Sequence, residues 1–114
     1  MTTRAVSFDL LGSDGSTQAG EITFVQNVPE LVDLADNAVY VANVLTYSLA
    51  VGESEPLITT DNAGTSPAAG SWGYTVVCKL PPGIPDITVS NGLLPSGSGA
   101  YSLAAMIATA QAVD

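Results

Sequence analysis

No histidine occurs anywhere in this chain of 114 residues, and cations are nearly as scarce, with Arg4 and Lys79 set against eleven Asp and Glu. General acid–base catalysis needs a group that titrates near neutral pH, usually His, or else a carboxylate or lysine held in a desolvated pocket. Lys79 is out of phase with the inward face of its strand, and the Ser-rich loops carry no base that would activate a hydroxyl. Enzymatic function is therefore not expected. Two isolated cations cannot form the basic patch that phosphate backbones require, which argues against nucleic acid and against anionic membrane surfaces as partners. The formal net charge of −9 serves solubility, or suits a partner whose surface is basic.

Cysteine occurs once, so no internal disulfide and no CxxC metal or redox motif can be built. Cys78 lies in phase with Tyr74 and Val76 and reads as a small buried hydrophobe rather than a nucleophile. Long hydrophobic runs are missing too. The longest helical apolar stretch, near Leu103 to Val113, is too short for a bilayer and contains Thr109 and Gln111. Met1-Thr2-Thr3-Arg4 leads straight into a strand pattern without the apolar core of a signal peptide, so synthesis in the cytoplasm without export is expected.

Hydrophobic residues make up 46% and charged residues 11%, a balance that favours a folded chain over a disordered one. The length suits one domain with one core. Val6, Phe8 and Leu10 alternate with Ser7 and Asp9, and a turn follows at Gly12–Ser16. Ile22 and Phe24 repeat the alternation. Val28 to Asn37 reads as a long loop with one helical turn, after which Val39 and Val41 resume a strand. Leu45, Tyr47, Leu49 and Val51 give the clearest strand pattern, broken at Gly52–Pro56. Leu57 to Thr60 is a short strand, and Asn62 to Ser71 has nothing to bury and reads as a mobile loop or contact arm. Tyr74, Val76, Cys78 and Leu80 form the next strand, ended by Pro81-Pro82-Gly83, and Ile87-Thr88-Val89 the last.

The period then changes: Leu103, Met106, Ile107 and Ala110 fall at i, i+3, i+4 and i+7, with Ser102 as a cap, and a short terminal helix is predicted. Pro95 to Gly99 reads as a flexible tether. The expected organisation is an all-β domain over residues 1–94, a β-sandwich of six to seven short strands, followed by a linker and C-terminal helix over 95–114.

Candidates for chemistry are few. Glu53 and Glu55 share a polar turn, a solvated setting that does not suit a glycosidase pair. Asp14, Asp33, Asp36 and Asp61 sit in loops, but their spacing matches no calcium loop, and neither metal nor cofactor is expected. Trp72, between Ser71 and Gly73, is the one aromatic that could stack on a sugar, against its reading as a core plug or interface anchor.

The succession of segments carries a resemblance. A first strand, the Asp14-Gly15 turn, the Gly20 to Phe24 strand, a long loop, Tyr47 to Val51 with Gly52-Glu53, Leu57 to Asp61 and Trp72 to Leu80 together resemble small immunoglobulin-like or prealbumin-like sandwiches of tailed bacteriophages. Over most of residues 4 to 89 the chain is similar to modules found on capsid exteriors and tail appendages. The resemblance implies a non-enzymatic virion protein, assembled in the host cytoplasm. The favoured form is a capsid decoration protein that meets the major capsid protein as a homo-oligomer, a trimer. The alternatives are a minor tail or tail-fibre attachment protein, and a free-standing carbohydrate-binding module. Trp72, Leu103, Met106 and Ile107 are the expected interface residues.

Overall fold

The computed structural model describes residues 1–112 and is all-β apart from one short 3₁₀ turn and an α-helix at its end. The strands are β1 (Thr3–Arg4), β2 (Val6–Ser7), β3 (Glu21–Gln26), β4 (Glu30–Asp33), β5 (Ala38–Val41), β6 (Leu45–Ser48), β7 (Leu57–Ile58), β8 (Thr65–Ser66), β9 (Tyr74–Lys79), β10 (Ile87–Gly92) and β11 (Tyr101–Ser102). The helix α1 spans Leu103–Ala112.

The main sheet is antiparallel, in the order β10-β9-β3-β6. Its register lines up two inward rows across the strands, Ile87, Cys78, Ile22 and Tyr47 in one and Val89, Val76, Phe24 and Leu45 in the other. Period-2 alternation puts these side chains on one face, and cross-strand neighbours pack there. The opposite face carries Glu21, Thr23 and Lys79, and the Thr23 and Thr46 hydroxyls pair at 3.2 Å. Phe8 closes over the inward rows, with its ring 6.4 Å from Phe24 and 6.5 Å from Tyr47.

The clearest sequence pattern ends early. After Ser48 the chain turns into a 3₁₀ helix over Leu49–Val51, because the Ser48 hydroxyl accepts from the Ala50 amide and Gly52 takes a left-handed φ of 80°. Leu49 stays buried, while Val51 is turned out to solvent.

The expected long loop over 28–37 is instead half of a hairpin. β4 pairs with β5, and β8 covers its other edge, giving the sheet order β5-β4-β8. Leu31 and Asp33 point inward, and the Asp33 carboxylate accepts from the amides of Ala35 and Asp36, closing a turn that Asn37 completes at φ 52°. The polar segment after Asn62 is likewise built in: Thr65 is buried, its hydroxyl donates to the Pro67 carbonyl, and the Gly70 amide donates to Thr60.

The C-terminal segment is no separate appendage. β11 pairs in parallel with β2, Tyr101 opposite Val6, and the Tyr101 amide donates to Ala5. Ser102 caps the helix through a bond from the Ala105 amide at 3.1 Å. Leu103 and Met106 then enter the same hydrophobic cluster as Ile22, Phe24 and Val76, so residues 1–94 and the helix share one core. Gly92 permits this closure, since a Cβ there would lie 2.6 Å from the Met106 sulfur. Burying a side chain the size of Met106 stabilises the fold by about 1.5–3 kcal/mol.

The segment 95–99 is a strap rather than a free tether. The Arg4 guanidinium donates to the carbonyls of Gly99 at 2.9 Å and Pro95 at 3.0 Å, with longer contacts to Ser96 and Ser98, and lies 5.0 Å from the centre of the Tyr101 ring. On the other side, the Ser96 amide and hydroxyl both donate to the Asp61 carboxylate at 2.9 Å.

Candidate functional site

The residues expected at an interface are mostly spent inside the molecule. Trp72 has no exposed surface and meets Tyr74 edge-on at 5.5 Å; Leu103 and Met106 are buried with it in the core. A side chain enclosed by its own fold has no area to offer a neighbour or a sugar ring, so these three are core residues. Trp72 loses its carbohydrate role with them. Ile107 alone of the four stays partly exposed, beside an open groove of about 390 Å³ between β10 and α1 that Ile87, Val89 and Ala110 also line.

The carboxylates expected in loops remain apart. Asp14 is held below the usual carboxylate range by the Ser16 hydroxyl and amide, which bond to its charged form. Asp33 caps its turn, Asp61 binds Ser96, and Asp36 is exposed. Among the described residues no group of three His, Cys, Asp or Glu comes together to hold a metal ion. Glu53 and Glu55 are both exposed on their turn. Burial, with a smaller contribution from the Asp86 charge, pushes the Cys78 thiol up to about 11, a state unsuited to nucleophilic attack. Tyr74 is raised further by burial, and its hydroxyl donates to the Ile58 carbonyl at 2.6 Å.

The surface feature that stands out lies on the β4–β5 hairpin. Alternation sends Leu31, Asp33 and Tyr40 toward the body of the protein and Glu30, Val32, Val39 and Val41 away from it. Val39 is 56% exposed and Val41 71%; Leu34 in the turn and Val44 beyond β5 are 61% and 68% exposed. Scattered exposed aliphatics are ordinary on a protein surface; four on one hairpin and its flanks are a local concentration of exposed apolar area. Glu30 pairs with Val41 at one end of this strip, and exposed Asp36 sits in the turn at the other.

The sequence gives Val39 and Val41 a strand and leaves open which phase faces in. Alternation defines two faces, and only the inward packing of Tyr40 and Leu31 assigns the valines to solvent. The hairpin thus presents an apolar strip with a carboxylate at each end. No family model, curated protein or solved structure matches this chain.

Proposed function

We propose that this chain is a non-enzymatic virion structural protein, a head decoration protein that attaches in many copies to the exterior of a capsid. The observation that carries the reading is the exposed aliphatic strip of Val39 and Val41 on an uncharged edge strand, since such a strip gains stability only when another surface covers it. The sandwich-like all-β frame and its single continuous core suit a small module that is docked whole on a larger lattice. A tail appendage protein would use the same face, and the copy number on the particle separates the two. The carbohydrate-binding alternative is weakened by the burial of Trp72.

The test is association with intact particles of the virus that encodes the chain. A head decoration protein sediments with full particles in a copy number that is a multiple of the capsid lattice; a tail protein sediments in a handful of copies. Failure to sediment with any particle refutes the virion reading.

A further inference from the structure

We infer that β5 is the acceptor edge for a strand from a second protein, apolar at its centre and flanked by Lys or Arg, which pairs with β5 and extends the β5-β4-β8 sheet. This rests on the assembly reading above and names the chemistry of the partner.

The backbone geometry comes first. The Ala42 amide donates to the Pro29 carbonyl at 3.1 Å, and on the far side of β4 the Leu34 amide donates to Gly64 at 3.0 Å. In an antiparallel ladder, hydrogen-bonded and non-hydrogen-bonded pairs alternate. Counting from Ala42, the bonded pairs are Leu31 with Tyr40 and Asp33 with Ala38, and the Leu34 bond independently places residues 32 and 34 toward β8. The N–H and C=O groups of Val39 and Val41 are thereby aimed away from β4, along the free side of the sheet, where no strand lies beyond β5 among the described residues. Two donors and two acceptors at strand spacing are what an added strand requires.

The side chains agree with the backbone. Natural edge strands are usually guarded by Lys, Pro, a bulge or a covering element. β5 reads Ala-Val-Tyr-Val, has an unbroken register with β4, and carries none of these devices. The two residues whose backbone groups face outward are also those whose side chains are most exposed on the strand. An incoming strand would find its ladder partners and an apolar surface at the same two positions.

Charge selects the occupant. Residues 28–44 contain no Lys or Arg, and the strip ends at Glu30 on one side and Asp36 on the other. A second copy of this chain would bring a net charge of −9 against −9, with the same acidic ends. A strand with basic flanks meets both carboxylates with opposite charge, which steers association and fixes register.

The test uses the full chain and short synthetic peptides of alternating valine and threonine. One bears paired lysines at each end, one bears paired glutamates, and a third repeats the lysine peptide with alternate amides N-methylated to remove the ladder donors. The lysine peptide is expected to bind saturably. The glutamate and N-methylated peptides should each bind at least about tenfold more weakly, about 1.4 kcal/mol. Val41→Lys should weaken the lysine peptide to the same degree, and Val51→Lys, on a different exposed valine, should leave it unchanged. Equal binding of the N-methylated peptide, indifference to Val41→Lys, or no saturable binding of the lysine peptide overturns the assignment. So does sedimentation showing a dimer of the chain that Val41→Lys dissociates, which would make a second copy the occupant. If Val41→Lys loads onto particles as well as the unmodified chain, the edge assignment fails and the virion reading stands. If the lysine peptide binds as described but the chain sediments with no particle, the virion reading fails and the edge assignment stands.

Discussion

Replacing Arg4 by Ala should release the strap over 95–99 and, with it, part of the seating of the C-terminal helix. The guanidinium makes two short hydrogen bonds to carbonyls, at 2.9 and 3.0 Å, and two long ones at 3.4 and 3.5 Å. At about 1 kcal/mol net for each short bond and a few tenths for each long one, the hydrogen bonds contribute about 2.5 kcal/mol. The stacking on Tyr101 adds about 0.5–1 kcal/mol. Arg4 is only half-buried, so competition from water reduces the total, and a loss of about 2 kcal/mol is expected. Domains of this size have about 5–15 kcal/mol to lose. With a urea dependence of about 1.5 kcal/mol per molar, the unfolding midpoint should fall by roughly 1.3 M. Arg4→Lys should recover less than half, because an ammonium is a point charge and cannot fork across several carbonyls. Hydrogen exchange at the Tyr101 amide, which is bonded to Ala5, reports the local event and should accelerate in Arg4→Ala more than exchange at the Val76 amide in the main sheet. An equilibrium loss below about 0.5 kcal/mol together with unchanged Tyr101 exchange would refute the reasoning, since it would mean that the strap is held without the guanidinium.

Phe24→Ala removes a fully buried ring that contacts both Phe8 and Tyr47 and should cost about 3–5 kcal/mol, measured by denaturant unfolding; a cost near 1 kcal/mol would show that the core collapses into the space. The Asp61 carboxyl is held below its ordinary range chiefly by the Ser96 amide, so its folded value lies below its unfolded one. Its contribution is therefore complete above about pH 4 and is lost as the pH falls through the lower folded value. Asp61→Asn should flatten that part of the stability profile, and a profile identical to the unmodified chain would refute the assignment.

Much of the main sheet was legible because its inward apolar residues recur at every second position, even though Val25 and Val77 add apolar residues to the other face. Ile22 and Phe24, and Tyr74, Val76 and Cys78, face inward as their phase implies. The helix was legible from the 3-and-4 spacing of Leu103, Met106 and Ile107 and from the Ser102 cap, although where that stripe would bury was not. It found its own core, which left three of the four expected interface residues with no free surface. β4 was hidden by mixed polarity: its inward positions are Leu31 and a buried Asp33, and its outward ones Glu30 and Val32, so the usual contrast between faces is lost. The end of β6 depended on a hydroxyl cap and a left-handed glycine, features that override the alternation running on to Val51. The candidate face was legible as a strand but not as a surface. Nothing local to Arg4 pointed to carbonyls more than ninety residues away.

The parallel pairing of β2 with β11 also has a kinetic consequence. Val6 is fully buried, yet the strand that lies beside it begins at Tyr101, and the Arg4 bond to Gly99 spans 95 residues of sequence. Contacts so distant along the chain must wait for the closure of a very large loop, and folding slows as the mean separation of contacting residues grows. On a ribosome the first apolar residues would emerge long before their partners do. The main sheet, whose strands β3 and β6 pair within a much shorter stretch, can form while β1 and β2 remain unmatched. Strand β2 would thus be synthesised before the main sheet and locked in place after it.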